Sequence, residues 1–444
     1  MSKLKIGIAQ VDFTPRIGLP LKGNFRDDYA ARGVHDPLYA KAIVVENTTG
    51  RKIALVAMDI CMLDRNNVSF MREHIFRETG IPPERILVAA THTHSGPALD
   101  QGWFRPRSPE ADVSRLLKKA ATSVGLACKN MKAAQLCVGY ASENRLSFNR
   151  RLACRDGKTH MNWEKLDPKF VVKSRGITDP QVIALSIHER RKIKAVVVNF
   201  GLHPAILAGD NWLYSADYPG YLSEALRKIS GGKLPAMFFN GCCGNVNHID
   251  YADPLQGRGY QMTQRVGYLL AAVVNEALGK SVKIRGDTIA VSSECLVVKR
   301  LQISEKQRKW SEAVLKSAKG KKIKGQVDGL PDVYYANLYQ EMYKKQHADD
   351  RIEIMAIRIG DLGLVGLPGE IFYEFGREIK KRSLAKHTMV IELTNDAIGY
   401  IPNRGSFKEG GYEPSVGSTH YKPGTGEEMT AAAIRQLNKL FGGK

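Results

Sequence analysis

The chain has no run approaching the roughly 18 to 20 consecutive apolar residues that a membrane-spanning helix needs, so no transmembrane segment is expected in its 444 residues. It also lacks a leader-like start. M-S-K-L-K-I-G-I-A-Q-V enters strand-like alternation by Lys5, with no charged, apolar and small-residue succession of the secretory kind. None of the seven scattered cysteines forms a C-x-x-C pair, and an odd count fits unpaired thiols in a reducing compartment. Together these absences predict a cytoplasmic protein. Cys242 and Cys243 are adjacent, and neighbouring side chains of an extended segment point apart, which argues against a metal pair. Several catalytic signatures are missing as well. There is no G-x-S-x-G elbow, no G-x-x-x-x-G-K-[ST] phosphate loop and no H-E-x-x-H helix, and Ser95 follows a histidine in a loop rather than sitting on a strand-to-helix turn.

Acidic residues are also in short supply. Against 66 Lys and Arg there are 45 Asp and Glu, a formal charge of +21 that biases encounters toward anionic partners. The densest basic stretch, residues 305–324, places Trp310, Val314 and Leu315 at helical spacing with charge elsewhere, which reads as the solvated face of a helix. No nucleic-acid motif accompanies it, so no nucleic-acid partner is expected.

What is present is an alternation of strand-like and helix-like segments. Residues 53–60 (I-A-L-V-A-M-D-I) predict a buried strand, 68–79 an amphipathic helix ended by Gly80, and 85–90 the next strand: a β-α-β unit. The same order recurs at 194–200, 219–230 and 235–239. Residues 352–359 and 362–366 flank a Gly360-Asp361 turn and predict a hairpin, 389–393 another strand, and 428–441 a closing helix. The predicted fold is α/β, one large unit with a mixed sheet flanked by helices and an active site at strand ends. Polar excursions at 145–178 and 305–350 carry too few apolar residues to be independent domains.

Five apolar segments run into polar, glycine- or proline-containing endings: T-H-T-H-S-G-P with His92 and His94, G-L-H-P with His203, N-G-C-C-G-N-V-N-H, L-P-G-E with Glu370, and T-N-D-A-I-G-Y with Tyr400. Ligands of open α/β sheets sit outside the carboxyl ends of strands, so five such endings point to one shared site. Imidazoles and a carboxylate from separate strand ends are the ligand set of a catalytic zinc, and nitrogen donors favour zinc over magnesium. In an extended H-T-H both imidazoles face the same side, leaving one to bind metal while the other faces substrate.

The segments I-G-I-A-Q-V-D-F-T-P (6–15), A-T-H-T-H-S-G-P (90–97), N-F-G-L-H-P (199–204), N-G-C-C-G-N-V-N (240–247), L-P-G-E (367–370) and G-Y-E-P (411–414) resemble, in the same order, the motifs of the neutral/alkaline non-lysosomal ceramidase superfamily. The resemblance implies that residues 1–444 form a ceramidase-like zinc-dependent catalytic domain that hydrolyses an amide (N-acyl) bond with a metal-activated water. It implies His92, His203, Glu370 and Tyr412 as zinc ligands, His94 facing the reacting carbonyl, and Tyr400 beside the developing oxyanion. Two departures bear on the substrate. The family's G-D-V-S-P with its functional serine reads here Gly244-Asn245-Val246-Asn247-His248, and the chain stops where ceramidases continue into an immunoglobulin-like domain. Ceramide itself is therefore not the expected substrate, and Asn245 and Asn247 are read as substrate-facing. The basic excess with Arg150 and Arg151 makes an anionic or uronate-bearing oligosaccharide the alternative to a lipid-like small molecule, since arginine pairs bidentately with carboxylate; structural salt bridges are the other reading of the two arginines. On a uronate the same groups support β-elimination, so a lyase is the second enzymatic reading. A non-catalytic binding protein on the same fold is the third.

Overall fold

The computed structural model describes residues 4–442 except 27, 101–106, 191, 233, 254 and 319–330. Eight strands form most of a large mixed sheet: β1 (Leu4–Asp12), β2 (Tyr39–Glu46), β3 (Lys52–Met58), β4 (Ile86–Ala90), β5 (Lys132–Ser142), β6 (Gln181–Glu189), β7 (Lys192–Phe200) and β8 (Ala236–Asn240). Their order is β8-β7-β6-β5-β1-β2-β3-β4, and a short strand at Val282–Lys283 also pairs with β5. Only the outer pairs, β3 with β4 and β7 with β8, are parallel. These are the two β-α-β units legible in the sequence, crossed over by α1 (Arg65–Thr79) and by a later helix numbered α3 below.

Both faces of this sheet are buried, and alternation decides which side chain goes where. In β3, Ala54, Val56 and Met58 pack under α1 and α2 (Glu110–Lys129), while Ile53, Leu55 and Ala57 face the opposite way. In β7, Val196, Val198 and Phe200 lie beneath α3 (Tyr218–Ile229) and α4 (Gly259–Gly279). Helix α1 begins three residues before the apolar periodicity, because the Asp64 carboxylate accepts from the Asn67 N–H at 2.9 Å and caps the first turn. It ends where Gly80 takes φ 70° and donates its N–H to the Phe76 carbonyl.

The inner face meets a second sheet, which the sequence reading had merged with the first. It comprises β9 (Ile289–Lys299), β10 (Asp349–Ile359), β11 (Leu362–Gly366) and β12 (His387–Ile391), in that order. Between β9 and β10 the chain leaves for α5 (Glu305–Ser317) and α6 (Asp332–Lys345), which pack on each other; residues 319–324 of the basic stretch lie outside the described residues. Met355, Ile357, Leu364, Met389 and Ile391 fill the space between the sheets, and Ile354, Ala356, Val365 and Val390 face outward onto α7 (Tyr373–Arg382) and α8 (Thr425–Phe441). The result is helices, sheet, sheet, helices. Among the described residues, no helix is long and apolar enough to cross a membrane.

Adjacent strands of a sheet are typically rotated by about 20–25°, and over eight strands such twist lets the two edges of the large sheet meet, as β8 does with β3 and β4 here. The segment following β12 closes the gap. Its Glu392 N–H donates to the Asn240 carbonyl of β8, and its Leu393 carbonyl accepts from the Ala90 N–H of β4. This brings endings more than a hundred residues apart to one place.

Candidate active site

The endings of β4, β7 and β11 each deliver one side chain. His92 has φ 75°, an uncommon left-handed conformation for a residue other than glycine, and its backbone N–H donates to the Ile60 carbonyl at 2.9 Å. The extended H-T-H geometry is thus broken at its first residue. His92 Nδ1 donates to the Cys61 carbonyl at 2.8 Å, and His203 Nδ1 to the Cys243 carbonyl at 3.1 Å. These bonds put a ring proton of both histidines on Nδ1 and turn each Nε2 toward the other side chains of the cluster. The two Nε2 atoms lie 3.0 Å apart, and Glu370 Oε2 lies 3.3 Å from one and 3.1 Å from the other.

Glu370 comes from a two-residue parallel ladder, Glu370–Ile371 with Tyr400–Ile401, in which Glu370 and Tyr400 are direct partners. Gly369 at φ 110° permits the approach, since a Cβ there would sit 2.7 Å from the Gly399 carbonyl. The Tyr400 hydroxyl is 3.4 Å from His203 Nε2. His94 Nε2 is 3.3 Å from His92 Nε2, and its Nδ1 faces Asn24 Oδ1 at 3.2 Å.

Electrostatics follow from burial. Desolvation, reinforced by the neighbouring imidazoles, holds His94 well below its ordinary value and His203 at about 4, so both are neutral near pH 7. Burial opposes ionisation of Glu370, but the imidazole partners outweigh it and hold the carboxyl well below its usual range. Burial, then the charge of Glu370, raises Tyr400 well above its ordinary value and keeps it a phenol.

This donor set fits a metal. Glu370 Oε2 is buried without a hydrogen-bond donor, and it faces the Nε2 atoms of both histidines. Three such donor atoms within about 3 Å of one another need a cation among them, either a metal ion or the proton that, against burial, the neighbouring charge of Glu370 favours by raising His92 well above its ordinary value. His92, His203 and Glu370 form one of two potential metal-holding groups among the described residues; Cys61, His92 and His94 form the other. The second is poorer, because Cys61 Sγ approaches His92 at Nδ1, the nitrogen that carries the proton, at 3.7 Å.

Tyr412 lines the same cavity, with its ring edge-on to Tyr400 at 5.4 Å between centroids. Its loop is fastened by residues read from sequence as substrate contacts. Arg151, 1% exposed, donates to Glu413 at 2.8 Å and to the Gly410 carbonyl at 2.9 Å; Arg150, 3% exposed, donates to Glu413 at 2.7 Å with its guanidinium 5.0 Å from the Tyr400 ring centre. Both pair with Glu413 and neither lines the cavity, so these contacts brace the tyrosine loop, as the salt-bridge reading of Arg150 and Arg151 expects. Asn245 is likewise engaged, accepting from the Tyr373 N–H and donating to Glu374 at 3.0 Å. Asn247 pairs through both amide ends with Asn162, at 2.7 and 2.8 Å. Neither asparagine lines the cavity, so the replacement at Asn247 carries no argument about substrate.

Sequence reasoning missed three contributors. Glu392, 0% exposed, accepts from the Ile371 N–H at 2.9 Å and from the Cys243 N–H and thiol at 3.1 and 2.9 Å, tying together the residues that carry Glu370 and orient His203. Its signal was a lone acid in the apolar run M-V-I-E-L. Gly23 lets its backbone lie against His94, where a Cβ would fall 2.4 Å from Cγ. Helix α6, read as part of a peripheral excursion, supplies Tyr334, Tyr335 and Leu338 to a cavity of about 700 Å³ above the cluster. Phe25 adds to this apolar wall, while Lys22, Asp100 and Arg107 line a charged one.

The neutral/alkaline non-lysosomal ceramidase N-terminal domain matches this chain over residues 4–330. The neutral ceramidase of Pseudomonas aeruginosa is 24% identical over 233 residues, which are 49% of this chain and 33% of that protein. Neutral ceramidase 2 of Arabidopsis thaliana is 27% identical over 95 residues, 21% of this chain and 12% of that one. The matches therefore span a third or less of these relatives' length. The crystal structure of the Pseudomonas aeruginosa neutral ceramidase superposes with a TM-score of 0.75 at 19% identity, covering 99% of this chain and 75% of that one, which establishes the shared fold. With three quarters of its length matched by the family and its architecture shared throughout, this chain belongs to the neutral/alkaline non-lysosomal ceramidase family.

Proposed function

We propose that the chain is a zinc-dependent hydrolase that cleaves the amide bond of an N-acylated amine. The observation that carries this reading is the convergence of two imidazole nitrogens and a buried carboxylate oxygen at one point, within a cavity wide enough for a small molecule. His92, His203 and Glu370 would hold the ion, with Tyr412 as the fourth ligand that the family resemblance implies. Zinc, when bound, supplies a water of lowered pKa and polarises a carbonyl.

The chain's own groups account for the remaining requirements. His94 is neutral, and Asn24 Oδ1 fixes its proton on Nδ1, so Nε2 is the acceptor for a proton from the attacking water and can return it to the departing amine nitrogen. Tyr400 remains protonated and offers its hydroxyl to the oxygen on which negative charge develops. Arg150, fixed by Glu413, sets the Tyr400 ring. The aromatic wall of Phe25, Tyr334 and Tyr335 suits an acyl chain, and the Lys22–Asp100 pair and Arg107 suit a polar amine portion.

The test is metal analysis combined with mass spectrometry of products from ceramide, other N-acyl amines and N-acyl amino sugars. The expected result is about one zinc per chain and products that together exceed the substrate by one water. His92→Ala and Glu370→Ala lose metal and turnover together, while His94→Ala keeps metal and loses turnover. Full metal occupancy in the first two variants, or turnover untouched by a chelator, would overturn the assignment.

A further inference from the structure

A second cavity, of about 490 Å³, shares no lining residue with the first. It lies between the large sheet and α3, with Lys41 of β2 at its base, Arg227 of α3 at its rim, and walls formed by Tyr39, Tyr221, Pro37 and Leu234.

Its charges are unevenly satisfied. Each acidic group there is occupied by the protein. Asp36 accepts from the Ser215 hydroxyl at 2.5 Å, the Ala216 N–H at 2.8 Å and His35 at 2.9 Å. Glu224 pairs with Lys228 at 2.5 Å. Asp59 accepts from the Tyr39 N–H at 2.9 Å, and its burial favours the uncharged form. The cations are different. Lys41 is only 8% exposed, and its ammonium donates to Ser223 Oγ at 3.0 Å. That hydroxyl sends its own proton to the Ala236 carbonyl, so it offers Lys41 one acceptor and no charge. No carboxylate of the described residues lies within 4.0 Å of Lys41 or Arg227. A buried ammonium normally has an ionic partner, because desolvation otherwise drives it to the neutral form. Here Lys41 lines the cavity, burial pulls it below its ordinary value, and the charge of Asp59 alone opposes that shift, so a bound anion would restore its charge.

We propose that this cavity is a binding site for a small anion with an apolar or aromatic body, a carboxylate or a phosphate monoester, with Lys41 as the buried anchor and Arg227 as the rim contact. Lys41, held by the neutral Ser223 hydroxyl and the Tyr39 ring rather than by an ion pair, and Arg227 at the rim favour a single negative group, and the tyrosine and proline walls accept a flat apolar body. The site stands apart from the histidine–carboxylate cluster and does not depend on the reaction proposed there.

Titration calorimetry of the metal-replete protein with benzoate, phenyl phosphate and neutral benzamide tests it. The expected result is saturable binding of at least one anion and none of benzamide. Affinity should fall about tenfold or more in Lys41→Met and in Arg227→Glu, as expected for removing or reversing a charge beside the ligand. Arg227 is on the surface, so the second variant decides the matter should Lys41→Met fail to fold. Absence of saturable anion binding, or binding undiminished by Arg227→Glu, would overturn the proposal; the latter result would place the anion elsewhere, at the metal-binding cluster for instance.

Discussion

Glu392 offers the sharpest test of how this fold builds its site. Its carboxylate holds the backbone of Ile371, one residue after Glu370, and that of Cys243, whose carbonyl orients His203. In Glu392→Ala both N–H groups are left buried without an acceptor, at about 1–3 kcal/mol each, partly offset because a buried carboxyl that burial raises to about 7 is also removed. A net loss of about 3 kcal/mol is a reasonable centre. With unfolding entropy near 2.1 cal/mol/K per residue, the full chain gives about 0.9 kcal/mol/K, so Tm should fall by about 3 °C. The larger effect should be on metal affinity, where losing an outer partner of the ligands weakens binding by about 10–100-fold. Glu392→Gln retains the volume and an oxygen for both N–H groups, so it should bind zinc within about threefold of the parent. Competition with a fluorescent zinc chelator measures the affinities, and differential scanning calorimetry the melting. Parent-like zinc affinity in Glu392→Ala would refute the positioning argument even if Tm fell, because it would show that Glu370 and His203 are placed without it.

Further expectations rest on separate contacts. Gly23→Ala should displace His94, because the new Cβ would fall 2.4 Å from its Cγ at a backbone φ of 108°; turnover should drop at least tenfold with zinc content unchanged, as read by metal analysis beside kinetics. Glu413→Ala strands the buried Arg150 and Arg151 guanidiniums and should destabilise by about 3–5 kcal/mol in urea unfolding; an unchanged midpoint would contradict the bracing role. Burial raises Asp217, the N-cap of α3, to about 7 from 3.8. The native state therefore keeps a proton that the unfolded chain has released. Its contribution is fully present below about pH 4 and lost between about pH 4 and 7, at most about 4 kcal/mol. In Asp217→Asn the change in urea midpoint over that window should be smaller than in the parent, and an identical pH profile would refute the assignment.

The sequence made the secondary structure legible where one physical signal dominated. The two β-α-β units, the Gly360-Asp361 hairpin turn and the Gly80 helix stop were all readable from periodicity and glycine position. Division into two sheets was not, because strands buried on both faces read as continuous apolar runs whichever sheet they join. Helix α6 could not be recognised as a cavity wall, since the wall exists only once Tyr334 and Leu338 stand beside Phe25 from the first turns of the chain.

For the candidate site, sequence by itself determined the residue types and their delivery at strand ends: His92, His94, His203 and Glu370 follow apolar runs, and an imidazole or carboxylate there faces whatever those ends face. Only the tertiary structure decided which of them meet. Convergence depends on the accumulated twist that brings the two sheet edges together and on the segment after β12 that joins them, both properties of the whole sheet. The same holds for the polar residues that sequence placed near substrate. Arginine and asparagine look identical in sequence whether they face a ligand or another side chain, and here Glu413 and Asn162, distant in the chain, engage them. Local pattern fixes chemistry at a position; only the fold fixes its partner.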